Sequence, residues 1–358
     1  MRPEFTAALF FLGEEDIDSI VPLGAGNIND TFTVTLKSGR QLVLQRINPA
    51  VFGDPHAVMR NMRIVLDHLH QESKADRRQT AFGFFSLYKG ERGDWFRDVN
   101  GALWRLMSMI EKSVSRPNIP SPHHAEKLGR GLGLFHRLLH TLDPGVLADT
   151  LPDIHNTPQY LFHYDRAAKP NIGREDEFCS SFIAKRRHIV KKLDQEAAKL
   201  GHGIIHGDPK TDNFLFDQTG EELISLIDLD TVKPGLLLHD VGDALRSCCN
   251  KDGETPNDPE KICFDPDYFH SWLKGYSSEA GFLFNKKDME HVVDSVRLLT
   301  FELGLRFYTD YLEGNKYFKV RHPDQNLRRA LVQFYLVQSI EKQEDHLQRL
   351  VRSGLQTS

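Results

Sequence analysis

The stretch HGDPKTDNFLFD, residues 206–217, sets His206, Asp208 and Asn213 at fixed offsets and runs at once into an apolar segment. Shortly after it, LISLIDLD at 223–230 reads as a buried strand ending in two acids, Asp228 and Asp230. Alternate residues of an extended chain share a side, so these two carboxylates should point the same way. A lone His-Gly-Asp is usually only a turn, because Gly, Asp, Asn and Pro gather in loops. The weight here lies in order and spacing that agree with the rest of the chain.

Phosphoryl transfer asks three things of a protein: a carboxylate to receive the proton of the attacking hydroxyl, oxygen ligands for Mg²⁺, and a cover over the nucleotide phosphates. A loop of the form H-x-D-x-x-x-x-N supplies the first two, and His206, Asp208 and Asn213 reproduce its spacing. Asp208 is then the expected catalytic base, with Asn213 and Asp228 holding Mg²⁺ and ATP as the donor. A hard cation that keeps some of its waters needs only an amide and one or two carboxylates from the protein.

The remaining chain fits that reading. At 358 residues it is long for a single core. A net charge of −5, without a Lys/Arg stripe interleaved with aromatics, does not suggest nucleic acid as a partner. Cys179, Cys248, Cys249 and Cys263 lack metal-ligand spacing. The N-terminal MRPEFTAALFFLGEED shows no export leader, and no run approaches the ~20 apolar residues of a membrane span, so a cytoplasmic protein, monomeric or weakly oligomeric, is expected.

Alternation predicts strands at 32–36 and 41–47 joined by KSGR, and further strands at 83–90, 94–101 and 102–112, with a helix over 55–71. The Ser/Pro-rich segment 113–122 reads as a linker, and helical periodicity dominates 125–142, 181–200 and most of 287–352. The expected fold class is α+β, a two-lobed protein-kinase-like fold. Residues 1–112 form the small antiparallel sheet lobe that binds nucleotide, and 113–358 the helical lobe with the catalytic loop and acceptor site.

On the nucleotide side, PLGAGNIND offers Gly24, Gly26 and Asn27 as a phosphate cover. On the strand LVLQRIN, Val43 and Gln45 share one face, and Gln45 stands where kinases carry a phosphate-binding lysine. The following helix has no acid before Asp67, so the usual ion pair is lost as a unit. Adenine is expected against the backbone from Met109 to Glu111. Lys210 either reaches the γ-phosphate or is a solvated loop lysine. Asp240 reads as a structural brace, and His136 and His140 as packing residues, not a metal pair.

Gly after the loop histidine, then IDLDTVKPG and HDVGDALR, resembles the aminoglycoside phosphotransferase and choline kinase group. Within it, PLGAGNIND, LQRIN, VFGDPHAVMRN and above all RFYTDYLEGNKYF are similar to segments of the N-acetylhexosamine 1-kinases. That resemblance implies an amino sugar phosphorylated at its anomeric hydroxyl, gripped by Asp230, Thr231, Arg306 and Tyr317. The plainer reading of Arg306 is an i,i+4 ion pair with Asp310. Other acceptors (an amino alcohol, a thio-sugar or an aminoglycoside) and a nucleotide-binding pseudokinase stay open.

Overall fold

The computed structural model describes residues 2–13, 17–24, 28–76, 82–90, 96–99, 101–171 and 175–355. The N-terminal part contains α1 (Pro3–Leu12), β1 (Ile17–Pro22), β2 (Asp30–Leu36), β3 (Gln41–Arg46), α2 (Pro55–Ala75), β4 (Phe96–Val99) and β5 (Ala102–Ser108). The strands form an antiparallel sheet in the order β1-β2-β3-β5-β4. Helix α1 lays Ala7, Ala8 and Phe11 over one face, against Ile20, Val34, Leu42, Leu44, Trp104 and Leu106. Helix α2, capped where Asp54 accepts the Ala57 N–H at 3.0 Å, buries Met62, Val65, Leu66 and Leu69 on the other side, in a core continuous with the C-terminal part. The alternation read for β3 therefore holds: Leu42 and Leu44 face α1, and Gln45 faces away.

The C-terminal part runs β6 (Ser113–Ser115), α3 (Pro122–Leu139), α4 (Thr157–Ala168), α5 (Glu177–Arg186), α6 (Lys192–Glu196), β7 (His202–Ile205), β8 (Phe214–Asp217), β9 (Leu223–Leu226) and β10 (Lys233–Leu236), then α7 (Leu237–Cys248), α8 (Pro266–Ala280), α9 (Lys286–Leu312), α10 (Gln325–Lys342) and α11 (Glu344–Gly354). Its strands make two small antiparallel sheets, β10-β7 and β6-β8-β9. The loop 206–213 joins β7 to β8, and the loop 227–232 joins β9 to β10. Because Ile205 is paired with Lys233 and Phe214 with Leu226, the ends of both loops are pinned side by side. This is what brings the two acidic motifs of the sequence together.

Helices α3 and α8 cross closely. A Cβ on Gly129 would collide with the Trp272 carbonyl, and one on Gly275 with that of Glu126. Glycine inside a helix costs about 1 kcal/mol relative to alanine, which this close packing offsets.

The structure departs from the sequence expectations in several elements. Neither α1 nor β1 was expected. The supposed linker 113–122 contains β6, because Val114 finds a partner in Phe216. The 83–90 segment makes only isolated bridges, Gly83 with Ser225 and Leu87 with Met107. The helix expected over 181–200 is broken after Arg186 by tight 3-10 turns that bury Ile189 and Val190 together ahead of Leu193.

Candidate active site

The catalytic loop is held by its backbone. Buried peptide groups need partners, and around Gly207 each partner is a side chain from a different element. The N–H groups of His206 and Gly207 both donate to Asp240 of α7, at 2.6 and 2.8 Å. The His206 carbonyl accepts from the Thr231 hydroxyl at 2.6 Å, and the Gly207 carbonyl is 3.1 Å from Nε2 of His155. Gly207 has φ +85°, and any Cβ there would press on the Thr231 backbone, so glycine is required twice over. Asp240 is fixed in turn by His136 of α3 at 2.9 Å, itself 2.8 Å from the Tyr276 hydroxyl of α8. Burial acts to raise the Asp240 carboxyl, yet the hydrogen bond and charge of His136, with His206 and the Gly207 N–H, together hold it below the usual carboxylate range. Asp240 thus has the bracing geometry expected of it, and His136 packs as a brace behind it.

Asp208 follows directly, about one-third exposed, with Oδ2 2.6 Å from Lys210 Nζ. Burial pushes its carboxyl up, but the Lys210 charge and hydrogen bond leave it lowered overall. Lys210 is therefore no free loop lysine: burial works against its charge, and Asp208 and Asp228 more than restore it. Asn213 turns Nδ2 onto the Asp208 carbonyl at 2.7 Å, which leaves Oδ1 without a hydrogen bond among the described residues. Asp228 sits at φ 68°, ψ 57°, left-handed backbone that a non-glycine residue adopts only when its surroundings force it. Its carboxylate makes no ion pair or hydrogen bond among the described residues, and burial followed by the charge of Asp230 raises its pKa. A free amide oxygen and a carboxylate with no direct partner among the described residues are a donor set suited to Mg²⁺. Among the described residues no group of three or more His, Cys, Asp or Glu is placed to hold a metal ion.

On the nucleotide side the structure supplies a residue the sequence reading passed over. Arg105 of β5, paired across the sheet with Gln45, donates through Nε to Gln45 Oε1 at 2.9 Å and through Nη1 to Asp230 at 2.5 Å. Asn29 completes the junction, giving Nδ2–H to Asp230 at 2.6 Å. Gln45 also donates to Thr31 at 3.0 Å. The cation missing from β3 thus enters from β5, and its acid comes from the loop 227–232, not from α2. Asp230, expected as a sugar contact, accepts from Arg105 and Asn29, and the Thr231 hydroxyl, expected likewise, donates to the His206 carbonyl, so both side chains brace the site.

Gly24 has φ 67° with open space around it; Gly26 and Asn27 lie outside the described residues. Val43 is half-buried on the core side of the sheet, opposite Met107. A cavity of about 440 Å³ borders the segment after β5, lined by Leu42, Ser108, Met109, Ile110, Glu111 and Ile224. No catalytic-loop residue lines it, so it marks the Met109–Glu111 segment and not the phosphate end.

On the far side lies Arg306 of α9. Its guanidinium carbon is 5.0 Å from the Tyr160 ring centre, 5.6 Å from Phe318 and 5.9 Å from Tyr317. It forms no ion pair among the described residues. The alternative partner, Asp310, instead accepts the N–H groups of Tyr317 and Phe318 and the amide of Asn326, at 2.7, 3.0 and 2.8 Å. Burial opposes the Arg306 charge, but Tyr160, Tyr317, Glu302 and Asp208 keep it strongly protonated. Burial likewise pushes the Tyr160 hydroxyl up to about 12.

Several solved structures share this architecture. An aminoglycoside phosphotransferase from Alicyclobacillus acidocaldarius is 14% identical with TM-score 0.62, over 98% of this chain and 96% of its own. Amicoumacin kinase, in complex with AMP-PNP, Ca²⁺ and Ami, is 15% identical with TM-score 0.59, over 94% and 91%. Choline kinase from Cryptosporidium parvum is 12% identical with TM-score 0.58, over 94% and 93%. These likenesses establish the kinase-like fold. Residues 19–268 match the family described as the phosphotransferase enzyme family, and the chain belongs to that family.

Proposed function

We propose that this phosphotransferase moves the γ-phosphoryl group of ATP to the anomeric hydroxyl of an N-acetylhexosamine, giving the sugar 1-phosphate and ADP. Asp208 accepts the O1 proton as O1 attacks the γ-phosphorus in line, and the bond to the departing ADP oxygen breaks. Asn213 and Asp228 hold Mg²⁺, which offsets charge on the transferred group. Lys210 leaves Asp208 for the phosphate oxygens as the acceptor hydroxyl takes its place.

The observation that carries the acceptor assignment is Arg306, a half-buried cation set among Tyr160, Tyr317 and Phe318 that makes no ion pair among the described residues, with Glu302 one helical turn away. A cationic acceptor such as choline or an aminoglycoside would meet like charge there. A neutral ring suits it: the planar fork donates to ring oxygens and the acetamido carbonyl, and Tyr317 covers a sugar face. Adenine stacks at Val43 and meets backbone at Met109 and Glu111; Gly24 belongs to the expected phosphate cover, of which Gly26 and Asn27 lie outside the described residues.

A screen of neutral hexoses, N-acetylhexosamines and amino alcohols for Mg²⁺-dependent ADP release tests the reading. Release with N-acetylhexosamines alone supports it, and release only with amines contradicts it. Nucleotide binding without turnover of any acceptor supports the silent alternative that Gln45 raises. Arg306→Ala should lift the sugar KM at least about tenfold, the worth of roughly one charged hydrogen bond, and leave the ATP KM in place.

A further inference from the structure

The expected elements of the reaction leave unused a buried trio behind the catalytic loop: His155, Glu302 and Thr157. His155 lies just before α4 with φ 62°, a conformation unfavourable for a residue with a side chain. Its Nε2 is 3.1 Å from the Gly207 carbonyl and its Nδ1 3.3 Å from Glu302 of α9. The second Glu302 oxygen accepts the Thr157 hydroxyl at 2.6 Å. A carbonyl and a carboxylate only accept, so both ring nitrogens must donate and the ring is an imidazolium. Glu302 stands one helical turn from Arg306, and Gly207 is bonded to Asp208.

We propose that His155 is a positioning residue for phosphoryl transfer, locking the catalytic loop to the helix that carries Arg306 so that Asp208 and the acceptor share one register. The inference rests on the family's phosphotransferase activity and not on the identity of the sugar. Without this bridge the Gly207 carbonyl would lose its partner, and α9 and the loop would shift independently.

The charges around the ring agree. Burial pulls the His155 pKa down, but the Glu302 hydrogen bond and charge, with Asp243 and Asp240 of α7, leave it raised. His239, with its ring centre 5.0 Å away, is held neutral, its pKa lowered to about 3 by burial and by the His155 charge. Arg306 faces Glu302 and Lys233 faces His239, and neither reverses the sign. The bridge is then fully formed below the ordinary histidine pKa and is lost as pH rises through the higher folded value.

The experiment compares wild type, His155→Gln, Glu302→Gln and the milder Thr157→Val by thermal unfolding, by ¹⁵N-histidine NMR and by ADP release across pH, with whichever acceptor the screen returns or with water. The NMR should show both His155 nitrogens protonated beyond the pH where an ordinary histidine discharges. At temperatures where each variant is folded, His155→Gln should lose about ten- to a hundredfold in kcat with the ATP KM unmoved, as expected when reacting groups drift by an ångström or less. Glu302→Gln should move the alkaline loss of rate to lower pH, and Thr157→Val should do so by less. An ordinary His155 titration, or folded variants with wild-type kcat and pH profile, would overturn the proposal. Failure of the N-acetylhexosamines alone would sink the acceptor assignment and leave this one to the NMR and the other acceptors.

Discussion

The loop at Gly207 and the strand pair of Gln45 and Arg105 both fix the site, by opposite means. At the loop, four peptide groups are satisfied by Asp240, Thr231 and His155, each from its own element. Across the site, one buried guanidinium joins the N-terminal sheet to Asp230. The first arrangement is distributed, so removing one side chain leaves the bonds made by the others in place. The second concentrates the junction between the sheet and the loop 227–232 in a single ion pair, which Asn29 supports by its hydrogen bond to Asp230. Such a pair is poor in net stability but strongly destabilising when halved. It suits a role in setting geometry, since Asp230 lies two residues beyond Asp228 and cannot move without it.

That contrast can be broken at three places, in decreasing order of effect. Asp208→Asn removes the proposed base but none of the loop's backbone bonds. Turnover should fall by about 10²–10⁴ while nucleotide affinity and unfolding temperature stay near wild type, measured by ADP release and calorimetry. Full activity would show that the loop positions something else. Arg105→Met leaves Asp230 buried and unpaired, and denaturant unfolding should show a loss of about 3–5 kcal/mol, most of it recovered when Asp230 is also replaced by Leu. A loss that the second change does not recover would mean that Arg105 acts through packing. Thr231→Val keeps shape and deletes one donor from the loop. It should cost about 1–3 kcal/mol for the stranded carbonyl, with kcat reduced far less than in Asp208→Asn. An effect equal to that of Arg105→Met would erase the difference between distributed and concentrated support.

How much of this could be read from the chain depends on the reach of each contact. The offsets of His206, Asp208 and Asn213, and the strand that delivers Asp228, are local, and so were legible. So was the alternation that points Gln45 away from Leu42 and Leu44. Arg105 left only a faint signal: one charge in the apolar strand ALWRLMS, which implies an internal partner but not which one. Because every residue from Ala102 to Met107 is buried, no polar alternation marked its face. Glu302 left a similar hint, one acid in the apolar stretch LLTFELGL, but its partner His155 lies 147 positions away. The bracing partners of Asp230 and Thr231 were hidden for the same reason: nearness to Asp228 in sequence says nothing of partners supplied by β5 and the loop of Asn29. The strand β6 hid in a Ser/Pro-rich segment because three residues are too few to show a period.

The most direct test of the central claim is the bond the enzyme makes. N-acetylglucosamine or N-acetylgalactosamine, ATP and Mg²⁺ are incubated with the protein, and the purified product is examined by two-dimensional ³¹P–¹H NMR. The account predicts a phosphorus coupled to the anomeric proton and a sugar that no longer reduces alkaline copper. A phosphorus coupled to any other ring proton, with the reducing end intact, would contradict it.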